Sequence, residues 1–174
     1  MLLPGFQDAH VHPISAGIEA VSCDLNGLET AEQYVAKIKE YADAHPEAAW
    51  ITGGGWLMSA FGPGARARRE LIDAVVPDRP CLIIDSSGHN ACLNAAAMAM
   101  IGLVKGTPDP VNGHFVIDGG GEPTGMLHED AIFWAIDRLP ALSDADDDAG
   151  LRAGQADANA HGITGIIDPR DTER

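Results

Sequence analysis

The stretch Pro4-Gly5-Phe6-Gln7-Asp8-Ala9-His10-Val11-His12-Pro13 decides how the rest of this 174-residue chain is read. Residues 2–6 are short and apolar and suit a strand. A polar loop with two histidines at i and i+2 follows. Alternation along an extended chain sends His10 and His12 to the same side. Neutral imidazoles are the commonest protein metal ligands, and a pair held at a strand end supplies two ligands of a zinc-type site. Asp8 shares their parity and is placed to orient a ligand from behind. As spacing alone, His-x-His is a weak signal, equally consistent with two ordinary strand-end histidines.

Working outward, the whole chain bounds what such a site can belong to. Its 45% hydrophobic and 21% charged residues are an ordinary globular mixture, and the length is enough to bury a core without disulfides. There are 26 acidic residues against 11 basic ones, a net charge of −15. That excludes a phosphate-backbone binder, which needs a basic footprint, and disfavours an anionic membrane surface. Cys23, Cys81 and Cys92 are odd in number and lack a CxxC spacing, so buried thiols are expected rather than a disulfide framework or a cysteine zinc site. No stretch is long and apolar enough to span a bilayer. The opening residues carry no basic region or apolar run of a signal peptide, so a reduced, cytoplasmic chain is expected.

Strands and helices alternate along the chain. Residues 21–25 read as extended. Thr30 with Gln33 forms a capping-box pattern, and Ala31, Val35, Ile38 and Ala42 share one face of a helix that Pro46 ends. Residues 50–52 read as a buried strand running into Gly53-Gly54-Gly55. A helix over residues 67–76 stops at Pro77, and residues 81–85 form a buried strand. Residues 91–101 read as an alanine-rich helix with Gly102 as its C-cap. Residues 114–117 and 124–126 flank a glycine turn as a hairpin. A helix over 129–138 ends at Pro140. Ser143 then caps a long helix to residue 160, with Asp144, Asp146 and Asp147 favoured by the dipole in its first turn. Gly162 stops it, and residues 163–167 make the last strand. This alternation predicts an α/β fold.

The same motifs, in order, carry a family resemblance. After the His-x-His run come Gly53-Gly54-Gly55-Trp56, then residues 71–80 (LIDAVVPDRP), then Ser87-Gly88-His89-Asn90 with Asn94, then residues 121–129 (GEPTGMLHE). This set resembles the family 3 branch of the amidohydrolase superfamily, which includes N-substituted formamide deformylase-like proteins. The resemblance implies a TIM-type (β/α)8 barrel whose mouth holds one or two divalent metals, zinc by preference. It also implies hydrolysis of non-peptide C–N bonds by a metal-activated water. His10 and His12 match the first two metal ligands. The implied layout has three parts: residues 1–19 as the first barrel strand and metal loop, residues 20–140 as an inserted α/β subdomain, and residues 141–174 as a helix and the second barrel strand.

A complete barrel needs roughly 200 residues or more, so the expectation is a partial barrel holding its first two strands. The family's later ligands, a lysine, two more histidines and a terminal aspartate, find no counterpart. Lys37 and Lys39 belong to the amphipathic helix and Lys105 to a loop. Leu57 stands where relatives often carry an acid, and residues 64–69 replace a P-T-R-like run. A truncated form with little activity alone is therefore expected, and a chain with two imidazoles is also compatible with holding no metal. The alternative is a non-catalytic α/β module, derived from that family, that binds a small molecule or a partner. The expected ligand is a small-molecule substrate rather than nucleic acid or membrane. A homodimer, or the missing C-terminal half of the barrel, would complete the strands.

Other polar residues are weighed the same way. His89 follows a buried strand, where α/β proteins place ligands, and either faces substrate or caps its loop. Glu129 either approaches the site or serves the first turn of a helix. Trp56 either lines a pocket or packs. Asp168 closes the last strand and either faces the barrel mouth or serves the turn at Pro169. His45 and His161 sit at helix ends in structural roles, and His114 and His128 flank the hairpin without a nameable partner.

Overall fold

The computed structural model describes residues 3–61 and 68–169. Leu2 of the expected first strand, Ala67 of the expected third helix and residues 64–67 of the departing run lie outside the described residues. In chain order the elements are β1 (Phe6–Asp8), α1 (Pro13–Val21), β2 (Cys23–Asp24), α2 (Ala31–Ala44), β3 (Ile51–Trp56), α3 (Arg69–Asp73), β4 (Cys81–Asp85), β5 (Asn90–Leu93), α4 (Ala95–Ile101), β6 (Gly113–Ile117), β7 (Pro123–Glu129), α5 (Ala131–Ile136), α6 (Asp144–Ala160) and β8 (Ile163–Ile166). The fold is α/β, as the alternation predicts. The chain divides into two compact units, Met1–Ser22 with Leu142–Arg174, and Cys23–Ala141.

The Cys23–Ala141 unit is built on a six-stranded sheet in the order β2-β3-β4-β5-β7-β6. The β2, β3 and β4 strands are parallel, and every later pairing is antiparallel. Period-two alternation sends Cys81, Ile83, Cys92 and Met126 to one face, where Tyr34, Ile38 and Ala42 of α2 and Ile72 of α3 cover them. Leu82, Ala91, Leu93, Phe115 and Leu127 face the other way, against Ala97, Met98 and Ile101 of α4 and Ala131, Ile132 and Ala135 of α5. A sheet clad by helices on both faces explains why its central strands are apolar on both parities. Glycine at position 53 is required: a Cβ there would lie 2.1 Å from the Cys23 carbonyl oxygen. The glycine run lets β2 lie close beside β3.

Two expectations are corrected here. Residues 91–93 belong to the strand β5 and not to the following helix, which begins at Ala95. The boundary is set by Asn94, whose side chain caps α4 by accepting from the Ala97 N–H at 2.9 Å. The hairpin strands are also longer than expected, and β7 runs to Glu129. Glu129 therefore does not start a helix. It holds a positive φ of 53° at the strand end, and α5 starts two residues later.

The other unit pairs β1 with β8 in parallel, Gln7 beside Gly165 and Asp8 beside Ile166, after a shift in register between Phe6 and Gln7. Its two helices are packed backbone to backbone. A Cβ at Gly17 would lie 1.8 Å from the Gly150 carbonyl oxygen, and one at Gly154 would lie 2.1 Å from that of Pro13. The helix α1 is a further correction, since Pro13 reads as loop, Val21 as extended, and the residues between as no element. Proline at its first position is pre-set for a helix, and Ile14, Ile18 and Val21 recur at helical spacing. Ser143 caps α6 with a capping box to Asp146, and Thr30 caps α2 with one to Gln33. Among the described residues no helix is long and apolar enough to cross a membrane.

Candidate metal centre

The backbone between the two strands fixes the histidine loop. The Phe6 N–H donates to the Gly162 carbonyl at 2.8 Å, the Ile167 N–H to that of Asp8 at 2.9 Å, and the Val11 N–H to that of Ile167 at 3.2 Å. Residue 167 is thus tied to both residue 8 and residue 11, and the loop that carries His10 and His12 is closed against the residue that follows β8. The His12 carbonyl then accepts from the Ala16 N–H at 3.0 Å and opens α1, with Pro13 at the first helical position.

The two rings come together. Their centroids are 5.4 Å apart and their planes are at 73°. Asp8 is placed differently from expectation: its carboxylate accepts from the His10 backbone N–H at 3.0 Å and so shapes the loop. The carboxylate that reaches a ring is that of Asp168, whose Oδ1 lies 2.8 Å from His12 Nδ1. A carboxylate accepts, so Nδ1 is the donor, and in the neutral ring the lone pair is then on Nε2. The His12 side chain is 30% exposed and that of Asp168 only 16%, so the contact is partly shielded from water.

These residues can be tested against a divalent ion by geometry and donor chemistry. Two imidazoles on one ion, with metal–nitrogen distances of about 2.0–2.1 Å and a tetrahedral angle, put their ring centres on the order of 5 Å apart. The observed separation is of that size, and the His12–Asp168 contact is the arrangement that steadies histidine ligands. The pair fits as two ligands of a shared ion. Among the described residues no group of three or more histidine, cysteine, aspartate and glutamate side chains is arranged to hold a metal.

The remaining candidates lie in the Cys23–Ala141 unit. Asp85, 5% exposed, organises the loop after β4. It accepts from the Ser87 hydroxyl at 2.9 Å, the His89 and Asn90 N–H groups at 3.1 Å each, and the Asn90 amide at 2.7 Å. The loop presents His89, whose Nδ1 lies 2.8 Å from Glu129 Oε2, while the Glu129 N–H donates to the His89 carbonyl at 3.0 Å. Both side chains are more than half exposed. Trp56 is a core residue, 2% exposed, with its indole N–H donated to the Ile83 carbonyl at 3.2 Å. His128 is bonded to the Asn90 amide oxygen, and His114 to Asp109 at 2.8 Å. The Phe115 N–H first, and His114 second, hold the Asp109 carboxyl below its ordinary range. His45 and His161 bond the carbonyls of Tyr41 and Asp157 at helix ends.

Sequence reasoning left Asp168 between the barrel mouth and a turn, and assigned no role to Asp85. For Asp168 the available signal was its place directly after the last strand. Its partner lies 156 positions away and is invisible to local patterning.

Comparison with known proteins places the chain. It belongs to the amidohydrolase family, whose profile matches residues 1–174. A Bacillus subtilis (strain 168) protein named as an amidohydrolase, YtcJ, is 32% identical over 165 residues, covering 95% of this chain and 31% of its own length. The N-substituted formamide deformylase of Arthrobacter pascens is 32% identical over 132 residues, covering 75% of this chain and 24% of its own. LONG AFTER FAR-RED 3 of Arabidopsis thaliana is 32% identical over 97% of this chain and 29% of its own. The crystal structure of an uncharacterized metal-dependent hydrolase from Pyrococcus horikoshii OT3 shares the fold, with a TM-score of 0.64 and 21% identity over 94% of this chain and 30% of that one. The chain thus spans under a third of the length of the curated relatives it matches.

Proposed function

We propose that this chain carries the first two metal ligands, His10 and His12, of a hydrolase acting on non-peptide C–N bonds. The observation that supports this reading is the pairing of the two rings at the spacing of a shared ion, within a chain of the amidohydrolase family. A divalent ion at that place, zinc by preference, would supply Lewis acidity and lower the pKa of a water molecule. The part of this chain is to hold the two imidazoles rigidly through the backbone bonds of residues 8, 11 and 167. The enclosing architecture we propose is a TIM-type barrel of which β1 and β8 are the first two strands. The substrate we propose is a small amide of the N-substituted formamide kind.

Two imidazoles do not fill a tetrahedral shell. The 174 residues alone are therefore expected to bind metal weakly and to turn over amides slowly or not at all. A cobalt(II) titration followed by visible absorption tests the ligand assignment. His10→Ala and His12→Ala should each abolish the band, and binding unchanged in both variants would overturn the reading. Tight stoichiometric zinc together with amide turnover would overturn the expectation of low activity. The second reading, a non-catalytic module, is favoured by the lack of a three-ligand group among the described residues. It requires the chain to bind its small molecule equally well after both histidines are replaced.

A further inference from the structure

The contact between His12 and Asp168 joins a ring of the histidine pair to a carboxylate 156 positions away. Its surroundings make it more than a surface ion pair. Residue 167 is bonded through its backbone to residues 8 and 11, so the next residue, Asp168, is delivered to the flank of His12. The His12 backbone is fixed independently by the start of α1. The main chains of both residues are therefore anchored before ring and carboxylate meet. The side-chain contact is left to govern the orientation and protonation of one imidazole.

We propose that Asp168 is a positioning residue for His12. Its carboxylate holds the ring in the Nδ1–H tautomer and makes Nε2 the electron-pair donor beside His10. The proposal rests on reading His10 and His12 as metal ligands. A ring locked in one tautomer offers its lone pair in a fixed direction, and a carboxylate behind it strengthens the donor. Losing such a partner typically weakens metal binding by about 10–100-fold. A purely structural tie between the chain's distant segments would instead lower stability and leave metal affinity intact.

The experiment is run on the 174-residue chain, with Asp168→Ala, Asp168→Asn and His12→Ala beside the parent. Long-range 1H–15N spectra recorded about two pH units above the ordinary imidazole pKa of about 6.5 report the neutral tautomer. The His12 signals are identified by their loss in His12→Ala. The parent should show His12 as Nδ1–H alone. Asp168→Ala should show the tautomer mixture of an untethered histidine, and Asp168→Asn, whose amide can accept or donate, an intermediate pattern. Cobalt(II) affinity should fall about 10–100-fold in Asp168→Ala and less in Asp168→Asn. An unchanged tautomer in both variants, or cobalt affinity equal to that of the parent in both, overturns the proposal. If Asp168→Ala loses its dispersed spectrum, the same criteria are applied to Asp168→Asn. Cobalt binding that survives His12→Ala unaltered overturns the ligand reading instead, and the tautomer spectra then decide by themselves whether Asp168 holds the ring.

Discussion

Arg79 shows how much one side chain holds together. Its guanidinium donates to the carbonyls of Ala42 and His45 at 2.6 Å each and to that of Ala48 at 3.3 Å, at and just beyond the C-terminus of α2. The Ala42 carbonyl has Pro46, which lacks an N–H, at its helical partner position and lies at the negative end of the dipole, so a fixed cation suits it twice over. Arg79→Ala should cost about 2 kcal/mol, the scale of a lost charge-assisted contact to partly buried groups. Urea denaturation checks it, and a midpoint equal to the parent's would refute the capping role. Asn94 is the buried counterpart. Its amide oxygen accepts from the Cys81 and Ala97 N–H groups at 2.9 Å, and its amide nitrogen donates to the carbonyls of Val76 and Arg79 at 2.7 and 2.8 Å. At this scale the sequence is legible where the chemistry is local. The caps Thr30 and Ser143 and the His10/His12 pair are recognisable because their partners lie within a few residues. The ring partner Asp168 is not, because its role exists only once distant backbone has come together; Asp85 bonds residues within five positions, but an Asp-Ser-Ser-Gly-His-Asn run carries no pattern that names its carboxylate as the organiser.

Elements were readable to the degree that their own side chains specify them. The helix α2 has an apolar stripe, a capping box and a terminating proline, and it forms where the pattern puts it. The segment Ala91-Cys92-Leu93 has no such signature. It is a strand because β4 and β7 flank it and supply its ladder on both sides. The helix α1 was hidden for the opposite reason: its stability comes from close approach to α6 through Gly17, Gly150 and Gly154, and glycine is a poor helix former read alone. That contact makes a sharp prediction. Gly154→Ala improves helix propensity by about 1 kcal/mol, yet its methyl group would sit 2.1 Å from a backbone oxygen that cannot turn away. The net result should be destabilisation by roughly 1–3 kcal/mol, the usual scale of overpacking. Gly120→Ala, whose nearest neighbour is an exposed side-chain oxygen at 3.2 Å, serves as the control expected to change little. Equal effects of the two substitutions in thermal denaturation would show that the helices do not pack as described.

For the molecule as a whole, the three thiols give a global reading. Burial pushes Cys23 and Cys92 up to about 12 and Cys81 well above its ordinary value. The unfolded chain ionises its thiols near an ordinary pKa of about 8.5, while the folded chain keeps them protonated. Their contribution to stability is therefore fully present below about pH 8.5 and is lost as pH rises towards about 12. Denaturation midpoints should fall across that window, and the fall should shrink when buried cysteines are replaced by alanine. An aromatic disulfide reagent at neutral pH should find no fast thiol in the folded chain and three after unfolding. Rapid modification of any one would contradict the sealed core. The pairing of β1 with β8 carries a different consequence, one of timing. Residues 12 and 168 are 156 positions apart, and ribosomes add about 5–20 residues per second. The histidine loop is thus made first and must wait roughly 8–30 s for the strand and carboxylate that complete it. During that interval the Cys23–Ala141 unit, whose sheet and both cores lie within its own segment, can finish folding. The histidine pair is synthesised long before the carboxylate that meets it, and is completed only when Asp168 arrives.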